Sequence, residues 1–418
     1  MSGSSSKQRS IQRTKQVPDE ILRDPVLNHR IKSVLPDNYN FEIHKTIWRI
    51  RNINAKRVCL QFPDGLFIFA VPIVNLLKQF LPGVEFVVMA DTVYGACCID
   101  DCKAKELGCD MLVHYGHSCL VPINQMVNGV SILYIFVDIK FDILHLIQSV
   151  VKNFNPDQHR LCLASTIQFI SSTHIVAREL RDKHGFDVVV PQSKPLTSGE
   201  ILGCTAPFLD EFQVNTLVFV ADGRFHLEAL MIANPDLPAY KYNPYNKEMT
   251  REYYSYGDML SQRTLAVEKV QQVLRNNEPI GIVLGTLGRQ GNFKVLETLK
   301  RMIESISSSP IVTFMFAEIN PKLLHELGRN TINAWIQIGC PRLSIDWGDA
   351  FVDKPLLSPY ELRTTIRNLQ KDNNTLNNKK VPNFTKDKRY HMDFYATKSL
   401  GSWTPSHKCH NDCECDCD

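Results

Sequence analysis

The stretch RVCLQFPDGLFIFAVPIVNLLKQFLPGVEFVVMAD, residues 57 to 91, decides the architecture. RVCLQF (57–62) and EFVVMAD (85–91) are short, β-rich apolar runs, the pattern of buried strands. Between them, LFIFAVPIVNLLKQF has helical length and periodicity. Pro72 falls near its first turns, where a missing N–H is tolerated, and Pro82-Gly83 closes it. This β-α-β alternation predicts a parallel sheet covered by helices.

Working outward, DMLVHYG (110–116) and ILYIFVD (132–138) extend the same sheet. The pattern begins again at RLCLAST (160–166), followed by helical THIVARELRDKHG and the strands DVVVP (187–191) and NTLVFVADG (215–223). A third start is GIVLGTLG (281–288), then helix-like FKVLETLKRMIESI, IVTFMFAEI (311–319) and AWIQIGC (334–340). The fold expected is α/β, with three successive Rossmann-like parallel-sheet domains at 36–155, 156–262 and 263–370, related as a weak internal repeat. Residues 1–35 read as a disordered leader, and the polar, aromatic stretch 243–262 as a linker between the second and third units. Residues 371–418 read as a flexible C-terminal segment ending in a Cys-rich acidic tail.

Composition narrows the function. The chain of 418 residues is 44% hydrophobic and 22% charged, ordinary for a soluble globular protein, and its first thirty residues lack the apolar stretch of a signal peptide. No run reaches the roughly 18 apolar residues of a membrane span. A cytoplasmic protein without membrane association is expected. A net charge of +3 is too small for this length to argue a nucleic-acid groove. Thirteen cysteines in a reducing compartment point to thiols or metal ligands rather than a disulfide framework.

Each unit places a cysteine after glycine near a strand end: Gly95-Ala96-Cys97, Gly203-Cys204 and Gly339-Cys340. Ligands in open α/β sheets gather beyond the carboxyl ends of strands, so three domains could bring three thiolates to one point. Three thiolates suit an iron-sulfur centre with one iron left open to a substrate, although a single strand-end cysteine is also an ordinary small hydrophobe. Local motifs do not supply a site. A CxxxCxxC spacing from Cys98 and Cys102 meets Lys105, and from Cys409 and Cys413 meets Asp416; a zinc CxxC pair and a GxGxxG after the first strand are missing.

The residues YGACCIDD, LVHYGHSCLVPI, GEILGCT, DGRFHLE, LGRQGN and IQIGCPRLSIDWG, in this order, closely resemble the diphthamide synthesis family over about residues 35 to 365. The resemblance implies three related α/β domains, each giving one cysteine to a 4Fe-4S cluster: Cys97 in YGAC, Cys204 in LGCT and Cys340 in IGCP. It implies S-adenosylmethionine bound at the open iron and cleaved to a 3-amino-3-carboxypropyl radical and methylthioadenosine. The group then joins C2 of one histidine of translation elongation factor 2. It further implies a heterodimer with a related subunit 2, reduced by a small zinc/iron electron carrier with a flavin reductase upstream. Cys98 competes with Cys97 on chemistry alone, and only the match to YGAC selects Cys97.

Further contacts remain open between two readings. Arg289 and Gln290, in the glycine-rich GTLGRQGN, are candidate partners of the cofactor or parts of an ordinary βα turn. Asp222, Arg224 and His226 could line the site or form a helix-start salt bridge, and Arg342 and Asp346 share that ambiguity. His114 and His117 could position the target imidazole or a proton, or serve structure alone. Cys102, Cys109 and Cys119 read as packing residues. The tail cysteines Cys409, Cys413, Cys415 and Cys417, beside His410, could capture a metal or be inert thiols. Two other classes stand beside the transferase: a cluster-bearing scaffold supporting a catalytic partner, and a nucleotide-dependent oxidoreductase, weakened by the missing GxGxxG.

Overall fold

The computed structural model describes residues 16–374 and 390–407. In the first unit the sheet runs 85–89, 57–61, 111–115, 131–135, all parallel, with Arg57 opposite Glu85, Val58 opposite Met111 and Met111 opposite Ser131. The helix Ala70–Phe80 buries Ala70, Ile73, Leu76 and Leu77 on one face, holds Pro72 in its first turn, and is followed by Gly83 at φ 83°. Only glycine adopts that left-handed conformation without strain.

The second unit orders its strands 248–252, 239–243, 216–220, 160–165, 187–189, and the third 311–316, 280–285, 334–338, 356–357. Numbered within each unit, all three share the order 2-1-3-4. The restarts in the sequence are therefore three windings of one topology, each with a reversal between its first and third strands, where loops part and a ligand can enter. Apolar clusters lie against these sheets, the largest beneath the third unit.

Three stretches differ from the sequence expectation. The expected linker holds an antiparallel edge strand, Glu248–Glu252, paired with Ala239–Asn243, and the start of the helix Tyr256–Arg275. EMTRE is charged because an edge strand faces solvent, so it carries no apolar run. The leader is folded from its described part onward: Asp24 caps the helix Pro25–Val34 through the N–H groups of Val26 and Leu27, and Ile21, Leu27 and Leu35 are buried against the first unit. Residues 390–407, expected to be flexible, return to the core, where Tyr390, Met392, Phe394 and Trp403 pack with Tyr360, Leu362 and Ile366. The Cys-rich tail lies outside the described residues. Among the described residues no helix is long and apolar enough to cross a membrane.

Candidate functional site

The first cysteine loop is built by a short turn, Ala96–Cys98, in which Cys98 N–H donates to the Gly95 carbonyl at 2.9 Å. Buried Gln61, ending the first strand, donates through Nε2 to the Cys98 carbonyl at 2.9 Å. The third unit braces the same loop. Arg289 N–H donates to the Cys97 carbonyl at 2.8 Å, and its guanidinium grips the fully buried Asp101 at 2.7 and 2.6 Å. Gly288, at φ 54°, presses so close that a Cβ there would lie 2.4 Å from the Cys98 carbonyl carbon. Gln290 Nε2 reaches Cys98 Sγ at 3.4 Å.

In the second unit, Leu202 and Thr205 exchange backbone hydrogen bonds around Gly203-Cys204. Phe225 covers this turn: a Cβ on Gly203 would lie 2.0 Å from its ring. The third cysteine, Cys340, follows the strand Ala334–Ile338, and Gln337 Nε2 donates to its carbonyl at 3.0 Å. Arg342 joins these two loops. Its buried guanidinium donates to Glu228 at 2.6 Å, Asp346 at 2.9 Å, the Phe225 carbonyl at 3.0 Å and the Gly203 carbonyl at 3.4 Å, and lies 4.3 Å from the centre of the Phe225 ring.

The cysteines do not occupy equivalent places. Cys97 and Cys204 lie between the second and third strands of their units, whereas Cys340 lies just beyond the third strand of its own. The corresponding positions beyond the third strands of the other units hold His117 and Asp222. The junction nevertheless brings all three sulfurs, with Cys98, into one electrostatic neighbourhood. Val93, Leu120, Leu196, Leu202 and Leu287 supply its apolar walls. Burial, followed by the neighbouring Cys340, pushes the Cys204 thiol up; burial pushes Cys340 to about 11. The interaction of the adjacent Cys97 and Cys98 thiols raises Cys97 and lowers Cys98, and backbone groups at 94–95 and the Gln290 amide add to the lowering of Cys98 against its burial.

Protonated thiols clustered in an apolar chamber are poor neighbours for one another and good ligands once a cation removes their protons. Among the described residues no three Cys, His, Asp or Glu side chains converge on a single-ion site. A 4Fe-4S cluster has a different requirement, since each thiolate holds its own iron. The donor set therefore fits a cluster of that kind.

The remaining candidates divide. Arg289 and Gln290 lie at the chamber, engaged with the Cys97–Cys98 loop. Asp222 is exposed and accepts the Gly223 N–H, and exposed Arg224 pairs with Glu228 and Glu252. His226 is half-buried and lowered to about 4 by burial, with nearby Arg342 adding to the effect. Asp346 is a partner of Arg342. His114 Nδ1 meets Gln61 Oε1 at 2.8 Å, and its ring centre is 5.3 Å from that of His117. Cys109 packs with Cys59 in the core and Cys102 is exposed. Sequence reasoning missed Gln61, Asp101, Asp393 and Tyr395. Asp393 accepts from Thr205 Oγ1 at 3.2 Å, and the Tyr395 hydroxyl donates to the Arg289 and Gln290 carbonyls while facing all four sulfurs. Both belong to the returning segment, where nothing in the sequence marked a site.

Fold and chamber define a three-unit α/β protein with a shared thiol centre at the junction of its sheets. The model of the family described as putative diphthamide synthesis protein matches residues 62–376, and the chain belongs to this family. The Schizosaccharomyces pombe protein named 2-(3-amino-3-carboxypropyl)histidine synthase subunit 1 is 48% identical over 94% of this chain and 84% of its own length. The Homo sapiens protein of the same name is 46% identical over 94% of this chain and 83% of its own. In fold, the chain is similar to the crystal structure of Dph2 from Pyrococcus horikoshii with a 4Fe-4S cluster, with a TM-score of 0.64 and 20% identity over 78% of this chain and 91% of that one.

Proposed function

We propose that this chain is the cluster-bearing subunit of a cytoplasmic transferase that moves the 3-amino-3-carboxypropyl group of S-adenosylmethionine to C2 of a histidine of translation elongation factor 2. The observation that carries this reading is the convergence of Cys97, Cys204 and Cys340, one from each unit, on one apolar chamber. These three residues would hold a 4Fe-4S cluster. When bound, it supplies the single electron that breaks the sulfonium bond to the γ-carbon.

The chain's own residues do the rest. The brace of Arg289, Gly288 and Gln290 fixes the Cys97 loop, and Arg342 fixes Cys204 against Cys340. The leucines around the sulfurs exclude water from a reactive carbon radical. The relatives' name, subunit 1, supports an assembly with a related second subunit, and reduction by a small zinc/iron electron carrier completes the reading.

Cys98 favours a second reading. Its sulfur faces the same chamber, and as a fourth ligand it would close the cluster to substrate and leave a scaffold subunit. Anaerobically reconstituted chain with its partner separates the two. The transferase reading expects reductant-dependent methylthioadenosine formation that survives Cys98→Ala and is abolished by Cys204→Ala. Loss of the cluster in Cys98→Ala, with no cleavage by the wild type, would favour the scaffold.

A further inference from the structure

The segment that returns to the core from residue 390 lies beyond residues 62–376, which the family model matches, yet it places a carboxylate at the second cysteine loop. That carboxylate is Asp393, and the chain on either side of it is anchored. Tyr390, Met392 and Phe394 are buried in the largest apolar cluster, and the His391 ring centre lies 5.4 Å from that of Phe208. The Tyr395 hydroxyl donates to the carbonyls of Arg289 and Gln290. Asp393 is therefore held in place at the chamber rather than left to swing in solvent.

Thr205 connects Asp393 to a sulfur. It follows Cys204 directly and is 0% exposed. Its Oγ1 lies 3.7 Å from Cys204 Sγ and donates to Asp393 Oδ1 at 3.2 Å. A hydroxyl has one proton and two lone pairs, so the proton given to the carboxylate is withheld from the sulfur, which meets a lone pair instead. A Cys204 thiol can donate to that lone pair. A Cys204 thiolate has no proton to offer and gains nothing from it. Burial and then Cys340 raise the Cys204 thiol, and the Asp393 charge adds to them, so the carboxylate is within electrostatic reach of this sulfur.

Hydrogen bonds to the ligand sulfurs stabilise the extra electron of a reduced iron-sulfur centre and raise its potential, whereas negative charge nearby lowers it. One-electron cleavage of a sulfonium bond needs a strongly reducing centre, so a site for that chemistry gains from withholding donors. We propose that Asp393 is a positioning residue that keeps the potential of a cluster on Cys204 low: it draws the Thr205 proton away from the sulfur and sets a negative charge beside it. This assignment rests on the cluster held by Cys97, Cys204 and Cys340 in the reading above.

Anaerobic potentiometric titration of the reconstituted full chain, followed by the paramagnetic signal of the reduced cluster, tests it without turnover. Asp393→Leu removes both the acceptor and the charge, and its midpoint moves positive by at least about 59 mV, the equivalent of tenfold in a one-electron equilibrium. Adding Thr205→Val takes back part of that shift, because the freed hydroxyl is gone. Asp393→Asn keeps the shape and an acceptor for Thr205 while losing the charge, so it shifts positive by less, and it decides the matter if Asp393→Leu fails to hold a cluster. If loaded Asp393→Leu and Asp393→Asn keep the wild-type midpoint, the proposal is overturned while the cluster reading stands. A negative shift in Thr205→Val alone would show that the hydroxyl already donates to the sulfur, and would overturn it too. If the wild-type chain gives no reducible cluster, the cluster reading itself fails and takes the proposal with it.

Discussion

The guanidinium of Arg342 donates to the carboxylate of Glu228 at 2.6 Å, joining the loop that carries Cys340 to the helix that covers Cys204. Its other contacts, to Asp346 and to the carbonyls of Gly203 and Phe225, leave it with partners on two units at once.

Arg342→Met is expected to destabilise the protein by about 1–3 kcal/mol, because it removes one of the two guanidinium partners of Glu228 and frees two carbonyls. Arg342→Lys retains charge but not the planar fork, and recovers only part of the loss. Chemical denaturation gives the stabilities, and the iron content of the folded fraction shows whether the Cys204–Cys340 geometry suffers as well. Equal stability in all three proteins would contradict the clamp.

Asp101 predicts an acid-dependent brace. Burial alone would raise its carboxyl, yet the Arg289 guanidinium and the Val127 N–H outweigh burial and hold it below the ordinary carboxylate value. A depressed folded pKa contributes stability that is present above the unfolded value of about 4 and is lost as pH falls through the lower folded value. The stability gap between wild type and Asp101→Asn should therefore be full at pH 7 and shrink as pH drops below about 4. A gap independent of pH would show that the ion pair adds nothing.

Gly288→Ala should be among the most damaging small substitutions. The new methyl would stand 2.4 Å from the Cys98 carbonyl carbon in a left-handed conformation, so the turn must withdraw from the cysteine loop. Gly65, where an added Cβ would meet nothing within 4 Å, is the control: Gly65→Ala should leave melting temperature and iron content nearly unchanged. Comparable behaviour of the two variants would remove the argument for close approach.

Tyr395→Phe removes one hydroxyl that donates to two carbonyls, at 3.2 and 3.1 Å. A cost of about 1–2 kcal/mol is expected, with faster bleaching of the cluster absorbance in air because the Arg289–Gln290 turn loosens beside the sulfurs. Unchanged stability and bleaching would make Tyr395 a bystander.

Much of this architecture was legible because its strands are buried and therefore apolar. RVCLQF, RLCLAS and IGIVLG each open a unit, and each takes the same place in its sheet. Glu248–Glu252 escaped notice since an exposed edge strand needs charge, not apolar alternation. The returning segment escaped because its buried residues, Tyr390, Met392, Phe394 and Trp403, are spaced singly through polar sequence, and their partners lie on the helix Pro359–Asn374. Glycine before cysteine at strand ends pointed to the chamber, while the inequivalent placement of Cys340 depends on strand order and had no local signal. Arg289 stayed open between a cofactor contact and a turn residue because its partner Asp101 lies 188 residues away along the chain.

Iron and acid-labile sulfide per chain after anaerobic reconstitution, compared among wild type, Cys97→Ala, Cys204→Ala, Cys340→Ala and Cys98→Ala, test the shared thiol centre most directly. About four irons and four sulfides are expected in wild type and Cys98→Ala, with loss in each of the other three. Full occupancy in any one of those three variants, or an empty wild type, would contradict a cluster held by one cysteine from each unit.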